Sequence, residues 1–173
     1  MFKNAYFAGG CFWCTESIFQ RVKGVSLVIP GYMGGYIKNP SYHEVCSGRT
    51  GHTETIKITY DKNIISYSQL LEIFFLTHDP TKLNRQGNDV GTQYRSAVFF
   101  ENQSEKKQIL ESISIFEKKK IYNESFVTEI NKKIEFYDAE TEHHDYYNQN
   151  KSQSYCQFVI RPKIKKFENL LNK

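Results

Sequence analysis

Residues 4–8 form a short apolar run, Gly9-Gly10 permits a sharp turn, and residues 11–22 carry an apolar stripe of Ile18, Phe19 and Val22 at helical spacing. A chain that starts this way must run a strand straight into a helix, with Cys11 at the join. A thiol there faces unpaired backbone N–H groups and the positive end of the helix dipole. The position therefore predicts a Cys11 pKa lowered towards neutrality. Cys14 follows one turn later, near the same face. Phe12 and Trp13, the only tryptophan, lie between the thiols and are placed to wall a small apolar pocket.

The remaining elements extend this start into an α+β fold. Gly24 is a C-cap, and residues 25–29 are a second β-branched run. Residues 30–51 read as one long loop rich in Gly, Pro, Asn and Ser, and loops of that length are usually functional. Residues 54–60 alternate, with Ile56, Ile58 and Tyr60 on one face. Ser66-Tyr-Ser-Gln69 is a capping box for a helix whose face is Leu70, Leu71, Phe74 and Phe75. A second glycine-rich loop spans residues 81–92, and residues 94–100 read as a strand with Tyr94 in phase with Val98 and Phe100. The order strand, helix, strand, strand, helix, strand is a ferredoxin-like βαββαβ split core. Around it come a helix capped by Asn102 with stripe Ile109, Ile113 and Phe116, short strands at 126–130 and 134–137, and a last helix. That helix starts at Pro162, with Ile164, Phe167, Leu170 and Leu171 inward. Residues 1–173 are expected to form one catalytic domain.

Composition narrows the function. The net charge is only +4, so the runs around Lys118 and Lys163 read as solvated helix faces, and no nucleic-acid partner is expected. No segment approaches the ~20 apolar residues of a membrane span, and the first residues lack a signal peptide's apolar core. A cytoplasmic protein with no membrane partner is the expectation. Four cysteines in such a chain fit redox catalysis better than a secreted disulfide framework.

Glu54 shares the apolar phase of Ile56 and Ile58. Burial there raises a carboxyl pKa and favours the neutral acid, provided the residue is not at an open strand end. Tyr42 in the first long loop, and Asp89 with Tyr94 in the second, are polar groups set among glycines; a tyrosine hydroxyl is a neutral donor suited to a polar oxygen in a dry pocket. Glu140, His143 and His144 have a metal-like spacing, but adjacent histidines point to different helix faces and no metal is expected.

Six motifs then stand in a single order: Gly10-Cys-Phe-Trp13, Gly31-Tyr-Met-Gly-Gly-Tyr36, Tyr42-x-x-Val-Cys-Ser-Gly-x-x-Gly-His52-x-Glu54, Gly87-Asn-Asp-Val-Gly-Thr-Gln-Tyr-Arg-Ser96, Phe136-Tyr-x-Ala-Glu140 and Tyr155-Cys-Gln-Phe-Val-Ile-x-Pro-Lys163. Together they resemble the A-type peptide-methionine sulfoxide reductases over nearly the whole chain. The resemblance implies reduction of methionine (S)-sulfoxide, in oxidised proteins and as the free amino acid, without a cofactor. By it, Cys11 attacks the sulfoxide sulfur, Glu54 protonates the oxygen, and Tyr42 and Tyr94 hydrogen-bond that oxygen. Phe12 and Trp13 hold the methyl group, and Asp89 orients the substrate. Cys11 becomes a sulfenic acid, a resolving thiol forms a disulfide, and thioredoxin reduces it. Separately from the resemblance, a monomer is the expectation.

Cys156 matches the family's resolving position and is expected to attack first. Cys14 also qualifies, because an i, i+3 helical pair lies within the ~4.4–6.8 Å Cα separation of a disulfide. Cys46 reads as structural. Two positions depart from the family pattern: Thr53 replaces a frequent alanine, and His144 a common glutamine. Two other readings compete. A thioredoxin-like thiol–disulfide oxidoreductase would need Cys11 and Cys14 but no acid at Glu54; a methionine-gripping peptide module would need no cysteine.

Overall fold

The computed structural model describes residues 1–172. Strand β1 (Phe2–Ala8) turns into helix α1 (Phe12–Phe19), and the chain returns as β2 (Val25–Met33). A short α2 (Tyr42–Cys46) precedes β3 (Thr53–Asp61) and α3 (Tyr67–Thr77). A small hairpin of β4 (Arg85–Gln86) and β5 (Asp89–Val90) leads to β6 (Ala97–Phe100). After α4 (Gln103–Lys118) come β7 (Glu129–Lys132), β8 (Tyr137–Asp138), α5 (Tyr146–Gln149) and α6 (Arg161–Leu171).

The main sheet has the order β7-β6-β1-β3-β2-β8. Its inner four strands are antiparallel throughout, which is the expected βαββαβ split arrangement. β7 adds to one edge in parallel and β8 to the other antiparallel, so both edges of the inner sheet are covered. The helix-bearing face is the main core: Ala5 and Phe7 of β1 and Ile56 and Ile58 of β3 meet Ile18, Phe19, Leu70, Leu71, Phe74 and Phe75. Phe7 stacks on Phe74 at 4.9 Å and meets Phe19 edge-on at 5.8 Å. The opposite face buries a smaller set, Tyr6, Ala8, Met33, Ala97 and Phe99, under Phe136. Among the described residues no helix is long and apolar enough to cross a membrane.

Several boundaries differ from the sequence reading. β2 runs on to Met33, and the long loop contains α2, closed by a capping box of Ser41 and Glu44. Tyr94 is not in a strand; it ends a 3₁₀ turn, Thr92–Tyr94. The carbonyls there are already engaged, since Gly10 N–H donates to Tyr94 O at 3.2 Å and the Thr53 hydroxyl bonds Gln93 O at 3.0 Å. Strand pairing begins only at Ser96, whose carbonyl accepts from Glu129 N–H at 2.9 Å. Phe126 joins an aromatic cluster with Phe75, Phe116 and Tyr122 instead of a strand. Ile164 and Phe167 of α6 are buried as expected, whereas Leu170 and Leu171, also expected to face inward, are exposed.

Candidate active site

The turn at Gly9-Gly10 sets the geometry. Gly10 has φ +84°, a region side chains rarely adopt, and a Cβ on Gly9 would lie 2.9 Å from the rings of His78 and Phe74. Cys11 is the N-cap of α1, in an extended conformation. The first helical N–H, of Phe12, donates to Glu54 Oε1 at 3.0 Å. Glu54 reaches this point from β3, where it lies opposite Tyr32 in the register with β2. It is 1% exposed, and its second oxygen, Oε2, has no partner. Burial raises its pKa to about 8, against the opposing Phe12 N–H and with smaller contributions from Asp89 and Cys14. The acid expected from strand phase is therefore buried, neutral at pH 7 and one residue along from Cys11.

The thiols depart from expectation. Cys11 is buried and its pKa is raised, not lowered: desolvation leads, followed by the Cys14 sulfur and Glu54, and only the Trp13 N–H acts the other way. Glu54 has taken the helix N–H that would otherwise stabilise a thiolate. Cys14 is the lowered member, at about 7, through its hydrogen bond with Cys11 and then Lys163 and Tyr155. Burial thus holds Cys11 as a thiol, and the ammonium of Lys163 lies beside Cys14. Cys156 is completely buried in the same apolar cluster as Cys11 and Cys14, with Tyr147, Ile160 and Ile164. Cys46 lies apart from that cluster, hydrogen-bonded to Tyr42.

Aromatic side chains surround the sulfurs. Tyr42 and Tyr94 both feel the Glu54 carboxyl, and burial holds both hydroxyls neutral. Tyr42 is set by its backbone N–H, which donates to Glu140 Oε2 at 2.9 Å; Tyr32 OH donates to Oε1 of the same carboxylate at 2.8 Å. Phe12 packs on Tyr32 and Tyr42. Trp13 donates from Nε1 to His143 Nδ1 at 3.2 Å and stacks on Tyr146 at 3.8 Å. Asp89 accepts from Tyr155 OH at 2.6 Å, so the second glycine-rich loop is tied to the C-terminal segment over the cysteines.

Cys11, Glu54, Tyr42, Tyr94, Phe12, Trp13, Asp89, Cys14 and Cys156 thus lie around one region. Ligand atoms of Glu140, Glu142 and His143 come within 4.8 Å of one another, but both Glu140 oxygens and His143 Nδ1 are engaged by the donors just named. The sequence reading missed Tyr32, Tyr146, Tyr155, Lys163 and Glu16. Glu16 accepts from the backbone of Asp145 and Tyr146 at 2.9 and 3.4 Å, and burial raises its pKa to about 7. Its place on the face of α1 that carries the apolar stripe was the available signal. Of the two departures, Thr53 anchors the turn carrying Tyr94, and His144 Nε2 donates to Ala139 O at 2.7 Å.

A family model described as peptide methionine sulfoxide reductase matches residues 3–173. A peptide methionine sulfoxide reductase MsrA of Saccharolobus solfataricus is 52% identical over 166 residues, covering 96% of this chain and 93% of that protein. The reduced form of Mxr1 from Saccharomyces cerevisiae superposes with a TM-score of 0.84 at 31% identity, over 90% of this chain and 89% of that one. Mxr1 in complex with Trx2 shares the fold, with a TM-score of 0.60 at 22% identity over 84% of each chain. A match over nearly the full length, on a fold that brings the motif residues to one place, leaves one conclusion: the chain belongs to the peptide methionine sulfoxide reductase family.

Proposed function

We propose that this protein reduces methionine (S)-sulfoxide, free or within oxidised proteins, to methionine, using Cys11 as nucleophile and thioredoxin as the final reductant. The observation that carries this reading is Glu54 Oε2, a buried carboxyl oxygen without a partner beside Cys11. A sulfoxide is a poor electrophile until its oxygen is protonated, and a neutral acid with a free oxygen suits that task. Tyr42 and Tyr94 are further neutral donors for the same oxygen. Phe12 and Trp13 supply an apolar wall for the methyl group, and Asp89 orients the substrate together with Tyr155.

The step balances. Glu54 gives its proton to the sulfoxide oxygen as the Cys11 sulfur attacks the sulfoxide sulfur. The oxygen then passes from the substrate sulfur to the Cys11 sulfur: the substrate S–O bond and the transient S–S bond break, an S–O bond forms on Cys11 as a sulfenic acid, methionine leaves, and Glu54 regains the proton from the Cys11 thiol. Positive charge developing on the substrate favours a thiolate that burial disfavours at rest. Cys14 and Cys156 are the thiols available to condense with the sulfenic acid, releasing water; further oxidation of Cys11 is hard to reverse. Thioredoxin then reduces the disulfide. On this reading a single catalytic domain, residues 1–173, acts as a cytoplasmic monomer, in a compartment where thiols stay reduced.

A thioredoxin-coupled assay with separated epimers tests the proposal. The S epimer is consumed and the R epimer is not, and Cys11→Ser abolishes turnover. Reduction of protein disulfides without any sulfoxide reduction would instead establish the thiol–disulfide oxidoreductase reading, which leaves Glu54 without a task.

A further inference from the structure

We infer that Cys14, rather than Cys156, is the first thiol to close on oxidised Cys11, and that Lys163 is the positioning residue that readies it. This deepens the proposed function and rests on it.

Cys14 lies one helical turn beyond Cys11, its N–H bonded to Cys11 O at 3.0 Å, and the two thiols shift each other's acidity. Both thiols sit on the first turn of one helix, within the ~4.4–6.8 Å Cα range that a disulfide spans at i, i+3 spacing. Lys163, from α6 at the other end of the chain, places Nζ 3.8 Å from Cys14 Sγ. Tyr155 OH lies 3.7 Å from the same sulfur but also donates to Asp89 Oδ2 at 2.6 Å, so its one proton is contested. Lys163 is therefore the donor free to face a Cys14 thiolate. The other titratable groups around Cys14 are Cys11, Tyr155, Asp89, Glu54 and Cys156, and of these Asp89 opposes the anion. Cys156 has a different setting: it is fully buried among Tyr147, Ile160 and Ile164, and burial followed by the Cys14 sulfur pushes its thiol up. A thiolate is the attacking species, so of two nearby thiols the one beside the ammonium reacts first.

In the step, the Cys14 sulfur attacks the Cys11 sulfur, an S–S bond forms and the Cys11 S–O bond breaks. The departing hydroxide takes up the proton that Cys14 gave up and leaves as water. Cys11 is reduced from the sulfenic level, and Cys14 is oxidised to the disulfide.

The test uses the reduced full chain mixed with methionine (S)-sulfoxide and no other reductant. Samples are quenched over time with an alkylating agent and with a sulfenic-acid trap, and the linkages are mapped by mass spectrometry. The first disulfide in the unaltered protein should join Cys11 to Cys14. Cys156→Ser should still close the Cys11–Cys14 disulfide, whereas Cys14→Ser should leave trappable sulfenic acid on Cys11. Lys163→Gln should slow closure about tenfold and move its pH midpoint upward, and Lys163→Arg should restore both. The Lys163 midpoint separates an electrostatic role from a packing one. Methionine release accompanied by a first disulfide between Cys11 and Cys156, or closure in Cys14→Ser at the normal rate, would overturn the order while leaving the proposed function standing. Failure of the unaltered protein to release methionine would overturn both.

Discussion

Glu54 occupies the first N–H of the helix that Cys11 caps, so a buried carboxyl and a buried thiol stand side by side, and loss of water is the leading cause of both raised pKa values. The carboxyl gains one hydrogen bond and loses nearly all contact with water, and desolvation dominates. Its proton is present below about pH 8 and lost above it, so the rate of sulfoxide reduction should fall as pH rises through that value. Single-turnover kinetics across pH check this. Glu54→Gln keeps an acceptor for Phe12 N–H and removes the transferable proton. It should slow the chemical step by ~10²–10⁴ and flatten that alkaline limb. Alternation in residues 54–60 was enough to place Glu54 among apolar neighbours. The surroundings of the Cys14 sulfur were not legible, because they are set by Lys163 and Tyr155, more than 140 residues away along the chain.

Among the elements, α1 is held from both ends. Glu54 engages its start, while Glu16 on its second turn engages the backbone at the start of α5. That second link seats Tyr146 against Trp13. Glu16→Ala removes an acceptor from two backbone donors, and the expected cost is about 1–3 kcal/mol. Denaturant unfolding measures the stability loss, and a changed fluorescence of Trp13, the only indole, reports the lost stack. Thr53 plays a similar part for the turn carrying Tyr94. Thr53→Ala should lower the turnover rate with little effect on folding, which steady-state kinetics and thermal melting would separate. The capping boxes show what local sequence can reveal. Ser66 and Gln69 announced α3, and Ser41 and Glu44 carry the same signature for α2, overlooked within a stretch dense in glycine and proline. Tyr94 was misread for the opposite reason: its alternation was real, but distant donors had claimed the backbone.

For the whole molecule, two buried acids make stability depend on pH. Glu54 and Glu16 bind protons more tightly folded than unfolded, where a carboxyl titrates near ~4.3. Their contribution is complete below that value and lost as pH rises through about 7 and 8. The melting temperature should therefore fall between about pH 5 and pH 9, and the Glu54→Gln, Glu16→Gln double variant should show a shallower slope in calorimetry. The core that holds these groups is strongly aromatic. Phe7→Ala, which opens a hole between Phe19 and Phe74, should cost about 3–5 kcal/mol by equilibrium unfolding.

The order of strands and helices, the inner sheet, the helix-opening cysteine and the buried acid were all written locally, in periodicity, glycines and caps, because these act over a few residues. The tertiary structure decided which sulfur lies beside an ammonium, what ties down Tyr94 and Tyr146, and how the C-terminal segment comes to lie over the cysteines. Those outcomes rest on desolvation and on contacts between distant segments, and neither exists until the sheet has brought the segments together.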